Sequence, residues 1–361
     1  MSIVLDNRRQ RPILQINDLK IVVKLQNITF ANGIAEGNGA AIISRAKEIT
    51  LEKCQFASNI ARNGSIVYNI QGNLRVSNCT VKNNFAYNQA CIYGKDGNGR
   101  IIVDNCTFDG NRGGFSNCVG IEGESGRKTV SELESMSPKS ARDIDGIPLP
   151  LIIHRCTFIN NSGYTVPGGC WLGCSVVLST GPGAAIIDSV IDSNKFGASE
   201  GIIGVVGGPL ILKHCRISNN DIEVGTSGSG VTVGLNSSAV IDDCEIYGNT
   251  LLDSDSRGAI CVRDSEAKVT NCSIYRNRCS YGGGIYNNGL LTLGSDLILN
   301  NNALMGAGIY NAKGGQLMLG DKSYILNNMA EDKGGAIYNE GVMSLKEGSI
   351  AKNTPDDIYN P

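Results

Sequence analysis

One six-residue pattern, Cys-x-Phe/Ile-x-x-Asn, returns from near one end of the 361-residue chain to the other. Aligned on its last position, twelve copies end at Gly33, Asn59, Asn84, Asn111, Asn161, Asn194, Asn220, Asn249, Asn277, Asn301, Asn328 and Asn353. Most intervals are 24 to 29 residues, with one of 50 and one of 33. A period in this range signals a repeat architecture, in which each unit buries its apolar side only against its neighbours. Length alone would suggest two domains. A repeat of this extent predicts instead one body over residues 12–361 behind a short polar lead, 1–11.

Each interval holds three short β-signals, with Gly, Asn or Asp at the corners between them. One is an Ala/Gly-x-Ile-Tyr type, seen in Gly334 to Asn339 as Gly-Gly-Ala-Ile-Tyr-Asn. The second is a Leu-x-Leu/Val type and the third is Cys-x-Phe itself. Three strands and three turns per repeat make one coil of a parallel β-helix, and the handedness of parallel crossovers makes it right-handed. The predicted fold is all-β, a right-handed parallel β-helix solenoid of about twelve coils, roughly 55 Å long at ~4.8 Å per coil. The 46 glycines, set against seven Phe and one Trp, suit frequent turns around a core of small and β-branched side chains. A leucine-rich-repeat horseshoe would need a Leu-x-x-Leu-x-Leu-x-x-Asn order and a helical return, and neither is present.

Strand residues two apart share a face, so Cys54, Cys79, Cys106, Cys156, Cys215, Cys244 and Cys272 should form one inward column, with Ser189 in its gap. Phe56, Val81, Phe108, Phe158, Ile217, Ile246 and Ile274 should form a second. The recurring Asn should build an amide ladder that satisfies backbone at one corner. Thirteen cysteines invite disulfides or zinc, but seven of them fall in the inward column, where a thiol acts as a small hydrophobe. Cys91, Cys118 and Cys170 are assigned to the matching place on the Ile-Tyr strand, and free thiols are expected. Cys170 and Cys174 would lie ~13 Å apart on a strand and could share a metal only if Gly173 bends the chain. No cofactor and no metal are predicted.

A net charge of −2 with acids and bases interspersed gives no footprint for nucleic acid. Residues 1–10 lack the apolar core of a signal peptide, and no run approaches the roughly 18 apolar residues of a membrane span, so membrane insertion by this chain is not expected. Asn-x-Ser/Thr sequons at Asn27, Asn78, Asn105, Asn160, Asn236 and Asn271 mainly restate the repeat. No nucleophile-elbow, zincin, Walker or dinucleotide-binding pattern occurs.

Two departures from the period stand out. The 50-residue interval inserts a polar stretch of mixed charge, 122–148, expected to be mobile on its own. The next coil is lengthened after Trp171, and a loop from Leu172 to Ala184 is expected to leave the same corner, so that the two stand side by side as a rim. Just past that corner, outward and corner positions of the Leu-x-Val strand collect ionisable residues coil by coil: Asp104, His154 and Arg155, Asp188, Lys213 and His214, Asp242 and Asp243. Both histidines of the protein fall in this rank. A solvated outer strand would look the same. A carboxylate, imidazole and cation in a row could also bind an acidic or polyhydroxylated polymer, and a base beside a cation is what proton abstraction from a uronate requires.

The paired signatures Gly334-Gly-Ala-Ile-Tyr-Asn339 and Cys156-Thr-Phe-Ile-Asn-Asn161 resemble the GGA(I/L/V) and FxxN repeats of chlamydial polymorphic outer-membrane proteins and related surface proteins. That resemblance spans about residues 25–355. It implies a β-helix displayed at the cell surface or outside the cell, a non-catalytic structural or adhesive module whose partner is a glycan or a cell-surface protein. Polysaccharide lyases and glycoside hydrolases acting on acidic polysaccharides share the architecture and provide the alternative reading, an enzyme; architecture alone does not carry activity.

Overall fold

The computed structural model describes the whole chain except residues 1–2, 8–9, 96–98, 115, 139–143, 164–174, 197–200, 223–229, 252–253, 321 and 347–348. Three long parallel sheets run the length of the molecule. The cysteine sheet stacks 13 strands from Ile3–Asp6 to Ser349–Ala351, the leucine sheet 12 from Val22–Gln26 to Val342–Leu345, and the tyrosine sheet 13 from Leu14–Ile16 to Ile358–Tyr359. A fourth sheet of seven two-residue strands, Ile60–Ala61 to Thr250–Leu251, closes the corner after the ladder asparagine. Each coil therefore runs tyrosine strand, leucine strand, cysteine strand, short strand, and steps up to the next.

Register is what makes the columns. Phe30 pairs with Phe56, Phe56 with Val81, Val81 with Phe108 and Phe108 with Phe158, and every one of these side chains is buried. Phe30 stacks on Phe56 at 5.1 Å between ring centroids, and Phe108 on Phe158 at 4.8 Å. A one-residue slip would turn the whole column outward, so burial on one face holds the register. The cysteine column is buried as expected, and the eleven described cysteines are free thiols. Burial pushes the Cys91 thiol up to about 12. In the tyrosine sheet the place after Cys91 and Cys118 belongs to Val176, not Cys170, because Val119 pairs with Val177. Cys170 and Cys174 lie outside the described residues.

The asparagine ladder is continuous from Asn59 to Asn353. Asn194 is typical: its Nδ2 donates to Asn220 Oδ1 at 2.9 Å and to the Phe158 carbonyl at 3.0 Å, while its Oδ1 accepts from the backbone and side-chain nitrogens of Asn161 at 3.0 and 2.9 Å. One side chain thus satisfies two backbone groups of the preceding coil that burial would otherwise leave unpaired, and its bond to Asn220 carries the ladder to the next.

The insertion departs from expectation. It is anchored: Thr129 caps a short helix, α1 (Val130–Met136), through a capping box in which Thr129 N–H donates to Glu132 Oε2 and Glu132 N–H to Thr129 Oγ1. Val130, Leu133, Ile144, Ile147 and Leu149 then bury themselves against Ile102, Ile152, Ala185, Ile187, Ile211 and Val240. These last six are outward-facing residues of the leucine sheet, so the outer face there is apolar and covered, not solvated. Arg100 clamps the return of the insertion, donating to the carbonyls of Ile144, Asp145 and Ile147. Arg75 pairs with Asp145, and Lys268 with Glu134. The expected loop from Leu172 to Ala184 is also corrected. Ser175–Thr180 is a regular strand of the tyrosine sheet, followed within three residues by Ala184–Ile187 of the leucine sheet. The residues that lengthen this coil precede Ser175 and lie outside the described residues, and the expected rim of two loops lies there with them.

Candidate functional site

The ionisable rank sits where each leucine strand ends and turns into a cysteine strand. Two columns meet there. Asp104, His154, Ile187, Lys213 and Asp242 are the last residues of paired strands. Arg155, Asp188, His214 and Asp243 follow immediately, each in the left-handed backbone conformation with φ of 49 to 51°. Asn and Asp are the side chains that accept this conformation most readily, which is why the same corner carries Asn78, Asn105 and Asn271 in other coils. Arg155, like Lys53 in an earlier coil, is a less usual occupant. Its conformation is held by the coil above, its N–H donating to the Ile187 carbonyl at 3.1 Å.

All eight predicted residues are brought together, and they engage one another. His154 Nδ1 lies 2.8 Å from Asp104 Oδ1, and Arg155 forks onto the same carboxylate with contacts of 3.0 to 3.2 Å. On the other side His154 Nε2 is 3.3 Å from Asp188 Oδ2, an ion-pair distance without hydrogen-bond alignment. The next step repeats the motif, with His214 Nδ1 3.1 Å from Asp188 Oδ1 and His214 Nε2 3.4 Å from Asp243 Oδ2. Carboxylate and imidazole alternate from Asp104 to Asp243 across five coils. A second group stands beside it: Lys213 Nζ is 3.3 Å from Asp242 Oδ2, and Asp242 Oδ1 accepts from Thr270 Oγ1 and Asn271 Nδ2 at 2.9 Å each. Burial pushes the Asp242 carboxyl up, but the bonds from Asn271, Thr270 and Lys213 outweigh it and hold the group below the usual range.

Exposure grades along the chain of pairs. His154 is 3% exposed, whereas Asp188, His214, Asp243, Arg216 and Glu245 line an open groove of about 390 Å³. The exposed end could receive a polar ligand, and the buried end could not. Among the described residues no cluster of three or more His, Cys, Asp or Glu is arranged to hold a metal ion, and no helix is long and apolar enough to cross a membrane.

Asp296 escaped the sequence reading. It occupies the cysteine column at a fully buried position, five residues before Asn301, where most other coils place Cys or Ser. Its carboxylate accepts from the backbone N–H groups of Cys272 and Gly294 at 2.8 Å each, yet burial dominates and pushes its pKa up to about 7. The alignment on Asn301 already sets Asp296 at the Cys position, where a carboxylate departs from the column.

Stacked parallel coils, inward Cys and Phe columns and an internal amide ladder define a right-handed parallel β-helix. The family model described as "Right handed beta helix region" matches residues 7–132 and 151–330, and the chain belongs to that family. The gap between the two segments, residues 133–150, overlaps the insertion. A search of curated proteins finds no match. Among solved structures, that of the periplasmic alginate epimerase AlgG is similar with a TM-score of 0.26 and 10% identity, covering 89% of this chain and 65% of that one.

Proposed function

We propose that this chain is a non-catalytic structural or adhesive β-helix module of a surface-type protein, binding a glycan or protein partner along one face. The observation that carries the reading is the mutual engagement of the ionisable rank. Each imidazole nitrogen faces a carboxylate, Arg155 and Lys213 each hold one, and the pairs run between coils as the asparagine ladder does. An acid–base catalyst needs a group within reach of a substrate proton. Here the most enclosed member, His154, is shut in by its own partners. The even spread of the repeat supports the same reading, since no catalytic motif interrupts it.

The test is incubation with acidic and neutral polysaccharides, followed by ultraviolet absorbance of unsaturated products and by assay of new reducing ends. No turnover is expected. Turnover that disappears in His154→Ala or His214→Ala would replace the module with a lyase or hydrolase.

A further inference from the structure

A second groove, distinct from the ionisable rank, lies at the opposite end of the leucine strands, where they begin. One wall is the segment that leads into α1, with Arg127 and Lys128. The floor is the corner of four successive coils, with Ser238, Glu266, Leu290 and Gln316 in one paired column. The groove encloses about 350 Å³ and runs roughly 14 Å along the stack, three coil steps of ~4.8 Å.

Its polar groups are unspent. Among the described residues Arg127, Lys128, Asp264, Glu266 and Gln316 form no ion pair or side-chain hydrogen bond. More telling is Ser238. It is 3% exposed, faces outward because Ala239 beside it faces the core, and its Oγ has no hydrogen-bond partner. A buried hydroxyl left unpaired is destabilising, and native structures rarely leave one so without cause. The neighbouring hydroxyls Ser237 and Ser265 are satisfied by backbone carbonyls, so the vacancy belongs to Ser238 alone at this corner.

We infer that this groove binds an acidic oligosaccharide, its hydroxyls on the floor and an anionic substituent against Arg127 and Lys128. Leu290 is the one apolar side chain on the floor, so the groove offers no pocket for the side-chain anchors a peptide would use. What it offers over its length is amide, carboxylate and hydroxyl groups at coil spacing, the donors and acceptors that sugar hydroxyls match, with cations along one wall only. The inference rests on the reading of the chain as a glycan-binding module and assigns that role to a different face from the ionisable rank.

Calorimetric titration of the intact chain with a tetra-uronate and, separately, with a neutral tetraglucoside tests it. The uronate is expected to bind, to weaken as salt is added, and to bind at least about tenfold more tightly than the neutral sugar. Arg127→Ala with Lys128→Ala should weaken the uronate about tenfold or more, with the melting temperature unchanged because neither side chain is packed in a core. Ser238→Ala removes a hydroxyl that bonds nothing in the free protein, so it should lower affinity without lowering stability; a loss of stability with unchanged affinity would make that hydroxyl structural and overturn the assignment. Uronate binding that survives all three substitutions, but falls on His214→Ala, would overturn the groove and leave the module reading intact. Absence of uronate binding by the intact chain would overturn the inference and leave the module reading with neutral glycans or protein partners.

Discussion

Asp296 offers the sharpest test of the column physics. Its carboxyl titrates near 7 in the folded chain against an ordinary value near 4, because burial penalises the charged form more than two backbone N–H donors favour it. A pKa raised by folding means that the folded state holds its proton longer than the unfolded one. Stability is then undiminished below about pH 4, falls as pH rises toward 7, and stays at the lower level above. Three units correspond to about 4 kcal/mol as an upper bound, at ~1.4 kcal/mol per unit. Asp296→Ser is the clean perturbation, since Ser189 already occupies an equivalent place, where its Oγ accepts from Cys156 N–H at 3.1 Å and donates to the Ile187 carbonyl at 2.8 Å. The substitution forfeits the bond from Gly294 N–H, about 1 kcal/mol. Urea unfolding of both proteins from pH 4 to pH 8 should show the variant gaining on the parent by about 2–4 kcal/mol across that range and exceeding it at pH 8. The two histidines are common to both proteins and cancel in the difference. Parallel pH profiles would refute the reasoning, and so would a variant less stable at pH 8.

Other parts of the structure respond in their own ways. Asn194→Ala removes the partner of two buried backbone groups in the preceding coil, the Phe158 carbonyl and the Asn161 N–H, and should cost about 2–4 kcal/mol, measured as a lowered urea midpoint at unchanged slope. Leu133→Ala, at a fully buried site, should loosen the insertion by about 2–3 kcal/mol; hydrogen exchange should accelerate in 122–148 first, while the amide ladder stays protected. Native thiols should react slowly, with near-complete labelling after denaturation without reductant, because the described cysteines are buried and free and burial keeps Cys91 and Cys279 protonated up to about pH 12.

The solenoid was legible because its determinants are local and repeated. A period near 26 residues, alternation within each strand and Asn at a fixed offset are all visible along the chain, and each coil confirms the last. The ionisable rank was legible for the same reason: alignment of coils places Asp104, His154, Asp188 and His214 in neighbouring registers. What alignment does not show is which side chains pair: His154 stands between Asp104 and Asp188, and His214 between Asp188 and Asp243. The insertion was misread from composition. Its charges suggested a mobile segment, whereas Val130 and Leu133 one helical turn apart, behind the capping box Thr129-Val-Ser-Glu132, mark a helix with an apolar side. The matching signal on the solenoid was the run of apolar outward residues, Ile102, Ile152, Ala185, Ile211 and Val240, where an uncovered sheet would be polar. Non-local burial of this kind appears only when the two stretches are laid against each other.

A double-mutant cycle on Asp104 and His154, read by urea unfolding of the parent, Asp104→Asn, His154→Gln and the double variant, tests most directly whether the charged rank is a brace. If carboxylate and imidazole hold adjacent coils together, each single change destabilises and the pair shows a coupling of about 1 kcal/mol or more. Losses that add to within ~0.3–0.5 kcal/mol would mean the two side chains stand side by side without supporting the fold, and would contradict the account.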